Sequence, residues 1–178
     1  MHTTPRLALA AALTLTLAHA QGGNDADLPA PAVIHGASPA TAANILAARR
    51  YAAFWNTGKP EFAQAALAAG FTDRTLPAGR PQGPNGPIEA SRGFRTAVPD
   101  LRASLDEVVA AGDRVVVRLH FTGTFTGKFA GKSGEVQGKG QKIDFQAMDL
   151  YRVEGGKITD NWHLEDIAMF KQLGILKE

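Results

Sequence analysis

The sequence predicts an α+β domain whose helices come first and pack on one face of a mainly antiparallel sheet. Three observations predict it. Apolar residues recur at helical spacing as far as about Val98 and alternate from Leu101 onward. Turn formers at Ala111-Gly112-Asp113 and Gly155-Gly156 join the alternating runs as hairpins. Helices followed by strands, instead of interleaved with them, is the order of segregated layers and disfavours a parallel sheet. A chain of 178 residues, 44% hydrophobic and 20% charged, has the composition of one ordinary folded domain plus a short appendage.

The appendage is N-terminal. Arg6 precedes the apolar run Leu7 to Leu17, and Ala18-His19-Ala20 then supplies the small residues of a cleavage site. The run is shorter than the ~20 residues that a bilayer core requires. Residues 1–20 are therefore expected to be a signal peptide, giving a periplasmic or secreted protein that begins at Gln21 and has no membrane partner after cleavage. Residues 21–38 contain Pro29 and Pro31 without an apolar period and read as a flexible linker. The domain is expected over 39–178.

Ser38-Pro39 is an N-cap and first-turn pair, and Ile45, Tyr51, Ala52, Phe54 and Trp55 then form a helical stripe that ends at Asn56-Thr57-Gly58. A second helix is expected from Pro60 to Ala69, stopped by Gly70, followed by a short strand over Phe71 to Leu76. Pro77 to Pro87 reads as a rim loop. A third helix opens at Gly86-Pro87 and reaches about Val98, ahead of Pro99. Four strands follow, Leu101 to Ala111, Arg114 to Phe125, Lys142 to Glu154 and Lys157 to Glu165, and a short helix carries Met169, Phe170 and Leu173. Gly127 to Gln141, with five Gly and three Lys, reads as a solvated, mobile hairpin loop.

Composition excludes several functions. A net charge of +2 without a basic patch interleaved with aromatics argues against nucleic acid. The absence of Cys excludes disulfides and thiolate chemistry. No dinucleotide or phosphate-loop glycine pattern, no GxSxG elbow and no HxH or HExxH pair is present, so neither a cofactor nor a metal is expected. Chemistry falls to carboxylates, His and hydroxyls.

Strand alternation sorts these groups. Val115, Val117, Leu119 and Phe121 share an inner face, which turns His120 outward. Ile143, Phe145, Ala147, Asp149, Tyr151 and Val153 share another, so Asp149 sits on an apolar stripe, either as hydrogen-bonded structure or as a perturbed acid/base. If alternation holds to the end of the last strand, Trp162 and Asp166 enter one cavity while His163 and Glu165 oppose them. Desolvation against an indole would raise the pKa of Asp166 toward neutrality. Spacing alone equally allows Asp166 to cap the final helix.

The segments "LRASLDEVVAAGDRVVVRLHFTG", "GTFTGKFAG", "MDLYRVEGGKI" and "NWHLEDIAMFKQLG", with Tyr51, Trp55, Asn56 and Gly58 of the first helix, resemble the SnoaL-like polyketide cyclase and ester cyclase family. The resemblance runs from about Ala47 to Gly174. It implies the cone-shaped nuclear transport factor 2-like fold, in which a curved, mainly antiparallel sheet and its helices enclose an apolar pocket. It also implies an Asp general acid/base, and Asp166, four residues after Trp162, is the matching position, with Asp149 as a second candidate. Trp162, Tyr51, Trp55 and Phe121 are the substrate-contact candidates. The expected function is a cofactor-independent cyclase or isomerase acting on a small apolar or carbonyl-containing molecule. A binding module that uses the same pocket without chemistry is the alternative, and the uncovered sheet face suggests a homodimer.

Overall fold

The computed structural model describes residues 24–25, 28–131 and 134–176, so the expected signal peptide lies outside the described residues. Helix α1 (Ala42–Thr57) starts after a reciprocal pair in which the Ser38 N–H donates to Thr41 Oγ1 at 3.0 Å and the Thr41 N–H to Ser38 Oγ at 3.3 Å. It ends at Gly58, whose φ of +72° lets its N–H reach the Phe54 carbonyl at 2.7 Å. Between them Tyr51 and Phe54 are buried toward the sheet.

Helix α2 (Pro60–Ala66) is shorter than its apolar pattern suggests, because Leu67 already opens strand β2 (Leu67–Asp73). Lys157 Nζ donates to the carbonyls of Gln64 and Ala65 at 3.0 and 2.6 Å. Those are carbonyls the ended helix leaves without a partner. Helix α3 (Asn85–Ala97) then leads into the long strands β3 (Arg102–Ala111) and β4 (Arg114–Phe125). The expected loop over 127–141 instead carries a hairpin of β5 (Lys128–Gly131) and β6 (Gly134–Gln137). Phe129 anchors it with an edge contact to Phe94 at 6.1 Å between centroids. The chain continues through β7 (Gln141–Glu154), β8 (Lys157–Glu165) and α4 (Ile167–Gln172).

Within the segment 21–38, expected to be a linker, the described residues take part in the fold. Residues Val33–His35 form a strand, β1, parallel to β3, and Leu28 is buried. Arg49 donates to the carbonyls of Pro29 and Leu28, and Arg50 pairs with Asp25. The sheet order is β1-β3-β4-β7-β8-β2. The four long strands are antiparallel, as alternation predicts, and parallel pairing occurs at the two edges, β1 on β3 and β2 on β8. Helices α1 and α3 lie over one face, Tyr51 and Trp55 against Tyr151 and Phe121 and Phe94 against Phe145. The α+β expectation and the cone-like layering of helices on a sheet therefore hold.

One irregularity decides what the sheet presents inward. Val153 pairs with Ile158 but Arg152 pairs with Asp160, so Thr159 is an extra residue in β8. Such a bulge shifts the side-chain phase by one. Ile158 points inward, yet beyond the bulge Asn161 and His163 are the inward residues, while Trp162 and Leu164 turn outward with 36% and 73% exposure. The expected sharing of a cavity by Trp162 and Asp166 is thereby corrected.

Candidate active site

The bulge brings together a row of polar groups on the inner face. Asp149 of β7 lies opposite His163 of β8, Tyr151 opposite Asn161, and Asn161 beside Asp73 of β2. All five side chains are buried. The Tyr151 hydroxyl donates to Asp149 Oδ2 at 2.9 Å, and Asn161 Nδ2 donates to the same oxygen at 3.3 Å. The His163 ring spans two carboxylates, with Nδ1 2.8 Å from Glu165 Oε1 and Nε2 3.2 Å from Asp73 Oδ2. Two ring nitrogens held between carboxylate oxygens describe an imidazolium donating twice.

The electrostatics follow from these contacts. Burial pushes the Asp149 carboxyl up, against the Tyr151 hydrogen bond and the His163 charge, to about 6. Burial alone would lower His163, but its bond to Glu165 and the charges of Glu165, Asp149 and Asp73 outweigh it and raise the ring to about 9. Burial would raise Glu165, and the His163 contacts hold it below its usual value instead. Tyr51 and Tyr151 are raised above the ordinary phenol range, first by burial and then by the charge of Asp149, so both stay protonated near neutrality. A carboxylate poised near neutrality beside a fixed cation and neutral hydroxyls is an acid/base arrangement.

Around this row lie aromatic rings. Tyr51 meets Tyr151 edge-on at 5.7 Å and Trp55 at 6.2 Å, Trp55 meets Phe121 at 6.0 Å, and Phe121 stacks on Phe145 at 5.0 Å. Tyr51, Trp55 and Phe121, expected as substrate contacts, thus converge on one interior. Trp162 does not join them. It lies on the outer face beneath the guanidinium groups of Arg74 and Arg114, 6.0 and 5.7 Å from its ring centroid. Asp166 does not join Asp149 either, because β8 ends before it. Its exposed side chain accepts the Ala168 N–H at 2.9 Å as the N-cap of α4. His120 faces outward, as its alternation predicts, 2.8 Å from Asp144.

The rim segment after β2 grips the polar row. Gln82 accepts the Asp73 N–H at 2.9 Å and donates to the Asp73 carbonyl at 2.8 Å, and Arg80 lies 3.8 Å from the Asp73 carboxylate. The Thr75 hydroxyl accepts the His163 N–H at 2.9 Å. Asp73, His163, Asn161 and Glu165 are not apparent from sequence pattern. Their one visible signal is that Asn161, His163 and Glu165 alternate with the apolar Trp162 and Leu164, which ordinary burial assigns the opposite way. Among the described residues, no group of three or more His, Cys, Asp or Glu side chains is arranged to hold a metal ion.

Comparison with known proteins bears on the family and the fold. The profile of the family described as SnoaL-like polyketide cyclase matches residues 45–173. A candidate polyketide cyclase from Bacillus cereus ATCC 10987 is 37% identical, covers 85% of this chain and 96% of its own, and superposes with a TM-score of 0.74. A candidate SnoaL-like polyketide cyclase from Jannaschia sp. CCS1 shares 20% identity over 79% of this chain and 98% of its own, with a TM-score of 0.66. A Catenulispora acidiphila protein with a ketosteroid isomerase-like fold, solved with trimethylamine, shares 17% identity over 72% of this chain and 92% of its own, with a TM-score of 0.55. These last two likenesses bear on the fold. No curated protein matches the chain.

Proposed function

The chain belongs to the SnoaL-like polyketide cyclase family, and from that premise we propose that it is an exported, cofactor-independent enzyme of cyclase or isomerase type. Its substrate is a small carbonyl compound with an apolar body that occupies the aromatic interior. The observation that carries this reading is Asp149, a buried carboxyl with a pKa of about 6 that lies opposite His163 and is bonded to Tyr151 and Asn161. Ionised, Asp149 takes a proton from the carbon beside the carbonyl. The protonated Tyr51 donates a hydrogen bond to the oxyanion that develops there. The carbanion attacks a second carbonyl carbon, or is reprotonated at another position, and Asp149 returns its proton to complete the cycle. His163 is a positioning residue: its charge keeps Asp149 ionisable in a dry site, and Asp73 and Glu165 hold its ring.

A second reading, a binding module without chemistry, draws on the aromatic interior itself, where Tyr51, Trp55, Phe121 and Phe145 meet ring to ring and would supply apolar contacts to a ligand. Deuterium exchange at the activated carbon of ethyl benzoylacetate separates the two. The enzyme reading expects exchange faster than buffer, a loss of about 10²- to 10⁴-fold in Asp149→Asn, and no loss in Asp166→Asn. Exchange at the wild-type rate in an Asp149→Asn protein that still binds the ester would overturn the enzyme reading.

A further inference from the structure

A cleft opens away from the aromatic interior, between α3 and the turn that joins α1 to α2. Its volume is about 400 Å³, and Gly58, Pro60, Ile88, Ser91, Arg92, Arg95 and Thr96 line it. No carboxylate is among them. Arg95 has its two terminal nitrogens committed, Nη1 donating to the Leu101 carbonyl at 3.1 Å and Nη2 to the Trp55 carbonyl at 2.6 Å. Its Nε has no partner. Ser91, 1% exposed on the same helix, likewise has an Oγ without a partner. Among the described residues, neither Arg92 nor Arg95 pairs with an Asp or Glu.

An unpaired buried donor costs free energy, and Arg95, half-buried, also lacks a counter-charge. Carbonyls answer only part of what Arg95 requires. Its neighbour Arg102 also donates to the Leu101 carbonyl, at 3.3 Å, and adds like charge. Burial and then that charge hold Arg95 below the usual guanidinium range. Gly58 is part of the construction, since a Cβ there would lie 2.5 Å from Arg95 Nε and displace the guanidinium. The cleft is therefore lined by two cationic side chains, one exposed and one half-buried, with an N–H and a hydroxyl that have no partner buried beneath its surface and Ile88 and Pro60 as its apolar side.

We propose that this cleft is a binding site for a small organic carboxylate, whose charged head meets Arg92, Arg95 and Ser91 and whose apolar body lies against Ile88 and Pro60. The site is separate from the Asp149 row and does not depend on the enzyme reading.

The test is titration of the ¹⁵N-labelled chain with sodium benzoate, followed by nuclear magnetic resonance. Saturable shifts are expected at the amides of Ser91, Arg92 and Thr96 and at the Arg95 side-chain Nε–H. Benzamide, the same ring without charge, should leave them in place. Arg92→Gln, on an exposed position that makes no structural bond, should weaken benzoate at least fivefold, and Ser91→Ala severalfold. Equal response to benzamide, shifts centred on Trp55 and Phe121, or no saturable response at millimolar benzoate would overturn the proposal. Inorganic phosphate binding as tightly as benzoate would overturn its organic part.

Discussion

His163 has both ring nitrogens on carboxylates, and this gives it a pH signature in stability as well as in activity. Its folded pKa of about 9 lies above the ordinary 6.5. The stabilisation this represents is complete below pH 6.5 and is lost as pH rises through 9. Two and a half pH units correspond to about 3 kcal/mol. Denaturant unfolding should therefore show the wild-type protein losing stability of that order between pH 6.5 and 9.5, and His163→Gln should be nearly flat over the same window. A wild-type profile without this slope would contradict the imidazolium assignment. In the proposed reaction Asp149, raised from 3.8 to about 6, would set the acid side of the activity. Turnover should rise with pH through about 6, and His163→Gln should move that limb upward because the neighbouring positive charge that favours ionisation is gone.

The N-terminal segment contributes structure although its composition reads as a tether. Leu28 is 6% exposed, Val33–His35 pair with Glu107, Val108 and Val109, and Arg49 and Arg50 reach back to this stretch. If residues 1–20 are removed on export, intact mass spectrometry of the secreted protein should give a chain beginning at Gln21. A further truncation to Ser38 removes the Leu28 side chain, worth about 1.5–3 kcal/mol when fully buried, together with the β1 pairing. Such a chain should unfold at least about 2 kcal/mol more easily than the Gln21 form, as measured by urea denaturation. Equal stability would mean that β1 and Leu28 are only loosely attached. The β5–β6 hairpin illustrates the same contrast, because glycines and lysines hide a single anchoring ring, Phe129.

At the scale of the molecule, the bulge at Thr159 has two consequences. It turns polar groups inward, and it places Trp162 and Leu164 on the outer sheet face beside Met148, which is 52% exposed. Leu164 lies opposite Met148, and Trp162 opposite Leu150, so the apolar residues are contiguous across two strands. An apolar patch on an uncovered sheet face is covered most simply by a second copy related by a two-fold axis. Light scattering at micromolar concentration should give a dimer, and Leu164→Glu should give a monomer of unchanged far-ultraviolet circular dichroism. A wild-type monomer under those conditions would refute this.

The sequence by itself determined the order of the four helices and the four long strands, the turns that join β3 to β4 and β7 to β8, the inner faces of β4 and β7 and the position of Asp149, because each follows from local periodicity and turn chemistry, whereas β1 and the β5–β6 hairpin carry no such pattern. The family likeness was legible for the same reason, carried by short motifs in those strands. Tertiary structure alone decided the rest. One inserted residue at Thr159 reversed the faces of Trp162 and His163, and alternation along β8 alone does not reveal the bulge, which shows only in its register against β7. Asp73 met His163 only through that parallel pairing, across 90 residues of chain. Asp166 became a cap because the strand ended one residue before it. Alternation describes a single strand, whereas a site assembled from three strands depends on register, and register is a property of the sheet.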